Sequence, residues 1–103
     1  MPHLVAFDID GVLTEKKGRK LYREKRSEGH TVGVITARPM ESAQEFIDKY
    51  NLNPAFIRSS PFKGKVMRDL SNKYDREEYV YYGSWMKDQF QTMIAGWDYR
   101  AGS

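Results

Sequence analysis

Four short apolar runs, each followed by a polar or Gly/Pro break and a longer charged stretch, decide what this chain can fold into. They are Leu4-Val5-Ala6-Phe7-Asp8-Ile9, Thr31-Val32-Gly33-Val34-Ile35-Thr36, Ala55-Phe56-Ile57-Arg58 and Tyr79-Val80-Tyr81-Tyr82. Their lengths and their β-branched and aromatic content read as buried strands. The segments between them carry helical signals. Pro39 to Tyr50 has a proline suited to a first helical position, Glu41 in the first turn, and Phe46, Ile47 and Tyr50 on one face. Ser59 or Ser60 can cap a helix that begins at Pro61 and runs to Lys73, with Val66, Leu70 and Tyr74 spaced by four. Lys87 to Ala95 is a third helix, and Lys20 to Glu28, anchored by Leu21 and Tyr22 and ending at Gly29, a weaker fourth. Strands alternating with helices require parallel pairing and right-handed crossovers. The expected fold is an α/β, three-layer, doubly wound Rossmann-like parallel sheet of four or five strands, with Gly96 to Ser103 offering at most one short edge strand.

The chain's 103 residues suit one domain spanning 1–103, and 40% hydrophobic content is enough for a core. The absence of cysteine excludes a disulfide framework, a thiolate metal site and a cysteine nucleophile. No apolar run approaches the roughly 20 residues of a membrane span, and Met1 to Asp10 lacks the layout of a signal peptide, so a cytoplasmic protein without membrane contact is expected. A net charge of +3 suggests an anionic partner but is also ordinary for a soluble protein. The one compositional anomaly is Lys16 to Arg26, with seven Lys or Arg among eleven positions. Such a run is a solvated helix face or a nucleic-acid contact.

Open parallel sheets bind ligands at the carboxyl ends of their strands. Here the runs end in Asp8-Ile9-Asp10-Gly11, in Thr36-Ala37-Arg38, in Ser59-Ser60 leading to Lys63, and in Gly83-Ser84 ahead of Asp88. Asp8 and Asp10, two apart on an extended segment, should project to one side and repel each other unless a cation or shared proton intervenes. Asp88 would add a third oxygen donor, a set that favours a hard divalent ion such as magnesium. Thr36 and Lys63 would face a substrate's negative charge, and Arg38 either touches substrate or faces solvent. A calcium loop is excluded, because Val12, Leu13 and Lys17 stand where further acids would be needed. His3 and His30 have no paired ligand and read as structural, while Trp85 either walls the site or packs.

Asp8-Ile9-Asp10-Gly11-Val12-Leu13-Thr14 after an apolar strand resembles the first motif of the haloacid dehalogenase superfamily. The rest follows in order: Val32 to Thr36 resembles its second motif, Lys63 or Lys65 its third-motif lysine, and Gly83-Ser84-Trp85-Met86-Lys87-Asp88 its fourth. The resemblance implies a magnesium-dependent phosphatase in which Asp8 is the nucleophile that becomes an aspartyl-phosphate and Asp10 is the general acid and base. Thr36 and Lys63 would hold phosphoryl oxygens. Asp8, the Asp10 carbonyl and Asp88 would hold the metal.

Ser84 departs from the pattern, standing where the superfamily's phosphatases carry the fourth motif's first acid, and a serine is a poorer metal ligand. Dehalogenating members carry serines around this motif but lack the second aspartate of the first motif; Asp10 keeps phosphate chemistry ahead. The short span from Gly11 to Lys20 leaves flap and cap minimal or absent, so the site should be open. The resemblance implies that such a capless member acts on a large substrate or borrows cover from another subunit, which makes a phosphorylated nucleic-acid end, notably a 3′-phosphate, a phosphoprotein or a nucleotide the expected substrate and a homodimer a source of the missing cover. The alternative is a module that keeps the fold, turns over weakly or not at all, and binds nucleic acid or protein.

Overall fold

The computed structural model describes residues 2–102. Strands β1 (Leu4–Phe7), β2 (Thr31–Thr36), β3 (Ile57–Ser59), β4 (Tyr79–Gly83) and β5 (Asp98–Ala101) form one all-parallel sheet in the order β3-β2-β1-β4-β5. Because parallel neighbours cannot be joined by a hairpin, helices cross between them: α1 (Lys16–Ser27), α2 (Met40–Tyr50), α3 (Lys63–Lys73) and α4 (Met86–Ile94). The central strand β1 sets Phe7 against Val34 of β2 on one side and Tyr82 of β4 on the other.

Alternation along the strands divides the core into two layers. Val5 and Phe7, with Val32, Val34, Val80 and Tyr82, pack on Tyr22 of α1 and on Ala43 and Ile47 of α2. Leu4, Ala6, Ile35 and Tyr81 pack on Val66, Met67 and Leu70 of α3 and on Trp97. The chain winds outward from β1 through β2 to β3, crosses back to β4 beside β1, and winds the other way to β5. This is the doubly wound, Rossmann-like three-layer arrangement expected from the alternation of runs. Its reversal falls between β1 and β4, and ligands bind in the crevice beyond the strand ends at such a point.

Several boundaries differ from the sequence reading, each for a local reason. β1 stops at Phe7, leaving Asp8 and Ile9 to a turn. α1 begins at Lys16 instead of Lys20: Glu15 is extended, its carbonyl accepts from Arg19 N–H, and Gly18 lies against the Val12 carbonyl, so the second half of the expected flap segment is helix. Pro39 precedes the first turn of α2 and gives its carbonyl to Ala43 N–H. α3 begins at Lys63, two residues past Pro61, because the Ser60 hydroxyl accepts from Phe62 N–H in a turn ahead of the helix. Among the described residues no helix is long and apolar enough to cross a membrane.

Candidate active site

The site starts where the sheet releases the chain. Asp8 N–H donates to the Tyr82 carbonyl at 3.0 Å, so β4 still holds this residue, and the turn Ile9–Leu13 then closes with Leu13 N–H on the Asp8 carbonyl. Gly11 takes φ +80°, and a Cβ there would lie 2.2 Å from Ser84 Oγ, so both backbone and space demand glycine. Asp8 is buried. Its Oδ1 accepts from Ile9 N–H at 2.8 Å, and its Oδ2 lies 3.1 Å from Lys63 Nζ.

Lys63, the first residue of α3, is only 4% exposed. Its Nζ donates to Asp88 Oδ2 at 2.7 Å and to the Tyr81 hydroxyl at 2.9 Å, and Tyr81 donates in turn to Asp88 Oδ2 at 3.2 Å. Asp88 lies in the first turn of α4, buried, with its carbonyl accepting from Thr92 Oγ1. One ammonium, two carboxylates and a phenol thus share a buried pocket, which is tolerable only because each is partnered. Among the described residues no buried side-chain nitrogen or oxygen lacks a partner. Burial pushes the Asp8 carboxyl up to about 6, against the pull of Lys63 and with the push of Asp88. Burial and the two carboxylates raise the Tyr81 hydroxyl well above its usual range.

The expected repulsion between Asp8 and Asp10 is therefore corrected: the carboxylates that oppose each other are Asp8 and Asp88, across Lys63. The turn that begins at Ile9 breaks the extended spacing, and Arg38 claims Asp10 in a bidentate pair, Nε to Oδ2 at 3.0 Å and Nη2 to Oδ1 at 2.8 Å. Those hydrogen bonds hold the Asp10 carboxyl below the usual carboxylate range. Thr36, fully buried at the end of β2, accepts from Arg38 N–H at 3.1 Å, and Ser59 Oγ donates to the Arg38 carbonyl. Ser84 Oγ donates to the Asp10 carbonyl at 3.2 Å.

Asp8, Asp10, Lys63 and Asp88 meet in a cleft of about 340 Å³, with Ala37, Pro61, Trp85 and Lys87 completing its walls. Thr36 and Arg38 are not among the lining side chains, and Lys65 is exposed on α3. Trp85, 62% exposed, is a wall. His3 and His30 stack on each other away from the cleft, as their structural reading requires. Tyr81 was missed. A tyrosine inside an apolar run reads as bulk, yet strand alternation puts it on the α3 face, where the lysine opening that helix needs an acceptor.

Apart from Lys25, which lies 3.5 Å from Glu28, the basic run resolves into two kinds of residue. Arg19 donates to the Leu13 and Thr14 carbonyls, and Arg23 and Arg26 to those of Tyr50 and Leu52, so the arginines close backbone left open by the turn and by the end of α2. Lys16, Lys17 and Lys20 stand exposed.

The cleft therefore offers a buried carboxylate able to attack, a more exposed carboxylate able to move protons, and an ammonium able to receive an anion. No protein-family model matches this chain, and no curated protein matches it either.

Proposed function

We propose that this chain is a phosphohydrolase of the haloacid dehalogenase type, acting through an aspartyl-phosphate on Asp8. The observation that carries the reading is the position of Asp8: a buried carboxylate at the carboxyl end of the central strand, at the sheet's reversal point, against a buried lysine shared with Asp88. In the first step an Asp8 oxygen bonds to phosphorus while the bond to the leaving oxygen breaks, and Asp10 gives that oxygen a proton. In the second, Asp10 takes a proton from water, the water oxygen attacks phosphorus, and the bond to Asp8 breaks to release phosphate. Lys63 offsets the negative charge throughout, and the Thr36 hydroxyl, now buried under the Arg38 backbone, reaches a phosphoryl oxygen only once the segment after β2 moves aside with Arg38. Asp10 cannot act as an acid while Arg38 grips both its oxygens, so Arg38 must let go. A substrate phosphoryl group is the natural competitor for its guanidinium.

The donors suit a hard divalent ion such as magnesium, since the Asp8 and Asp88 carboxylates and the Asp10 carbonyl are all oxygens. Two carboxylates against one ammonium also leave a negative charge that a cation would offset. Asp8, Asp10 and Asp88 would hold it, and its chemistry would be charge neutralisation at the transferred phosphoryl group. A specific observation favours a second reading, a weakly active or inactive binding module: a serine hydroxyl, not an acid, lies on the Asp10 carbonyl, and the described residues hold no cluster of three or more acidic or histidine side chains.

The cleft's open mouth supports a phosphorylated macromolecule, such as a nucleic-acid 3′-phosphate end, or a nucleotide. Phosphate release from p-nitrophenyl phosphate and from 3′-phosphorylated oligonucleotides, with and without magnesium, separates the two readings. Activity lost in Asp8→Asn supports the enzyme; wild type no better than Asp8→Asn across the panel leaves the binding module.

A further inference from the structure

Helix α4 is inside out. Its sheet-facing side carries Asp88 and Thr92, both buried, and Gln91, whose Oε1 accepts from Gly64 N–H of α3 at 2.9 Å. Its outward side carries Met86, Phe90, Met93 and Ile94, at spacings of four, three and one, which fall on one arc of the helix. These four are 55–85% exposed, and Trp85 ahead of the helix is 62% exposed. Phe62, 68% exposed, precedes the first turn of α3 that touches α4. The inversion has a cause, since Asp88 must reach Lys63 and Tyr81, so the polar face turns inward and the apolar face is left without a partner.

We infer that this face is the contact between two copies of the chain, packed through α4 against α4 about a two-fold axis. The area argues for a second copy. With roughly 200 Å² for a large apolar side chain, the four α4 residues leave about 540 Å² exposed, and Trp85 at the helix start and Phe62 on neighbouring α3 bring the exposed apolar area on these two elements to on the order of 800 Å², the scale of one side of a standard interface. Charge argues the same way. A two-fold contact sets a patch against itself, so a single-sign patch repels, whereas this stripe holds no ionisable side chain between its apolar residues other than Lys87 at its edge and the buried Asp88. The basic run lies on α1, across the sheet, where it neither repels nor recruits at this face. Apolar residues at this spacing also interdigitate with their own copy. Trp85 belongs both to this face and to the cleft wall, so the second copy narrows the cleft mouth. The contact does not depend on the proposed chemistry.

Sedimentation velocity across a wide concentration range tests it, with phosphate release assayed separately. Wild type should reach twice the chain mass, and Phe90→Glu and Met93→Glu should each raise the dimer dissociation constant about 30-fold or more while keeping the wild-type circular dichroism. Because the chain has no cysteine, Phe90→Cys supplies a second measurement that keeps the fold: it should cross-link to itself on oxidation, and Lys20→Cys should not. Wild type monomeric at every concentration overturns the inference, including when it floats with lipid vesicles. So does a dimer indifferent to both glutamates, or cross-linking at Lys20→Cys in place of Phe90→Cys.

Discussion

At the scale of single residues, the site is expensive to fold. Asp8 titrates near 6 in the folded state and near 3.8 unfolded, so between those values the folded chain holds a proton that the unfolded chain has lost. Stability from this group is therefore greatest at acid pH and declines as pH rises toward 6 and beyond. Asp8→Asn removes the buried charge and leaves Lys63 paired one-to-one with Asp88. The variant should be on the order of 2 kcal/mol more stable than wild type at pH 7.5, an advantage that shrinks as pH falls from about 6 to about 4. Melting curves of both proteins across this range check it; an advantage unchanged at pH 5 would point away from the Asp8 charge. Tyr81→Phe should act in the opposite direction, costing about 1–2 kcal/mol in urea titrations, because buried Lys63 and Asp88 each lose one hydrogen bond without gaining water. Asp8, Lys63 and Asp88 were legible in the sequence since strand ends concentrate chemistry. Tyr81 and the Arg38–Asp10 pair were not, because they depend on which side chains cross between elements and no spacing along the chain encodes that.

At the scale of elements, strand existence was read well and helix starts poorly. β2 came out with its predicted bounds because Val32 to Ile35 is buried on both faces and nothing within it competes with a strand. α1 and α3 were misplaced at their first turns, where the deciding groups are carbonyls and hydroxyls of neighbouring turns. Gly18 marks the error: read as part of a loop, it lies inside α1 because only a residue without Cβ can pass the Val12 carbonyl. Two effects compete at Gly18→Ala. Alanine favours a helix by about 1 kcal/mol over glycine, but its Cβ would lie 1.8 Å from the Val12 oxygen, backbone that can yield only by moving the turn beside Asp10. The clash wins, and equilibrium denaturation should show a net loss of about 2 kcal/mol. A more stable Gly18→Ala would mean that α1 has room to lift off the turn.

At the scale of the whole molecule, the doubly wound sheet separates two surfaces that sequence order leaves mixed, a basic one on α1 and an apolar one on α4, while the cleft lies beyond the carboxyl ends of the central strands. Only part of the basic surface is available to a ligand. Arg19, Arg23 and Arg26 are spent on backbone carbonyls, whereas Lys16, Lys17 and Lys20 are exposed just after the turn that carries Asp10. Positive charge at a helix amino terminus opposes the helix's own dipole, so these lysines weaken α1 and a purely structural role does not explain them. A strand whose terminal phosphate sits in the cleft would bring its next phosphates into their range. For single strands, each neutralised phosphate contributes about 0.7 to the slope of log affinity against log salt. Replacing all three lysines by alanine should therefore flatten the slope for a 3′-phosphorylated oligonucleotide by about 2, with little change in melting temperature. Arg23→Ala and Arg26→Ala should instead lower the melting temperature and leave the slope nearly intact. Titrations at several salt concentrations distinguish the two sets. A slope that ignores the lysines would remove nucleic acid from the candidate substrates and leave a small phosphate ester or nucleotide, for which the cleft alone provides the contacts.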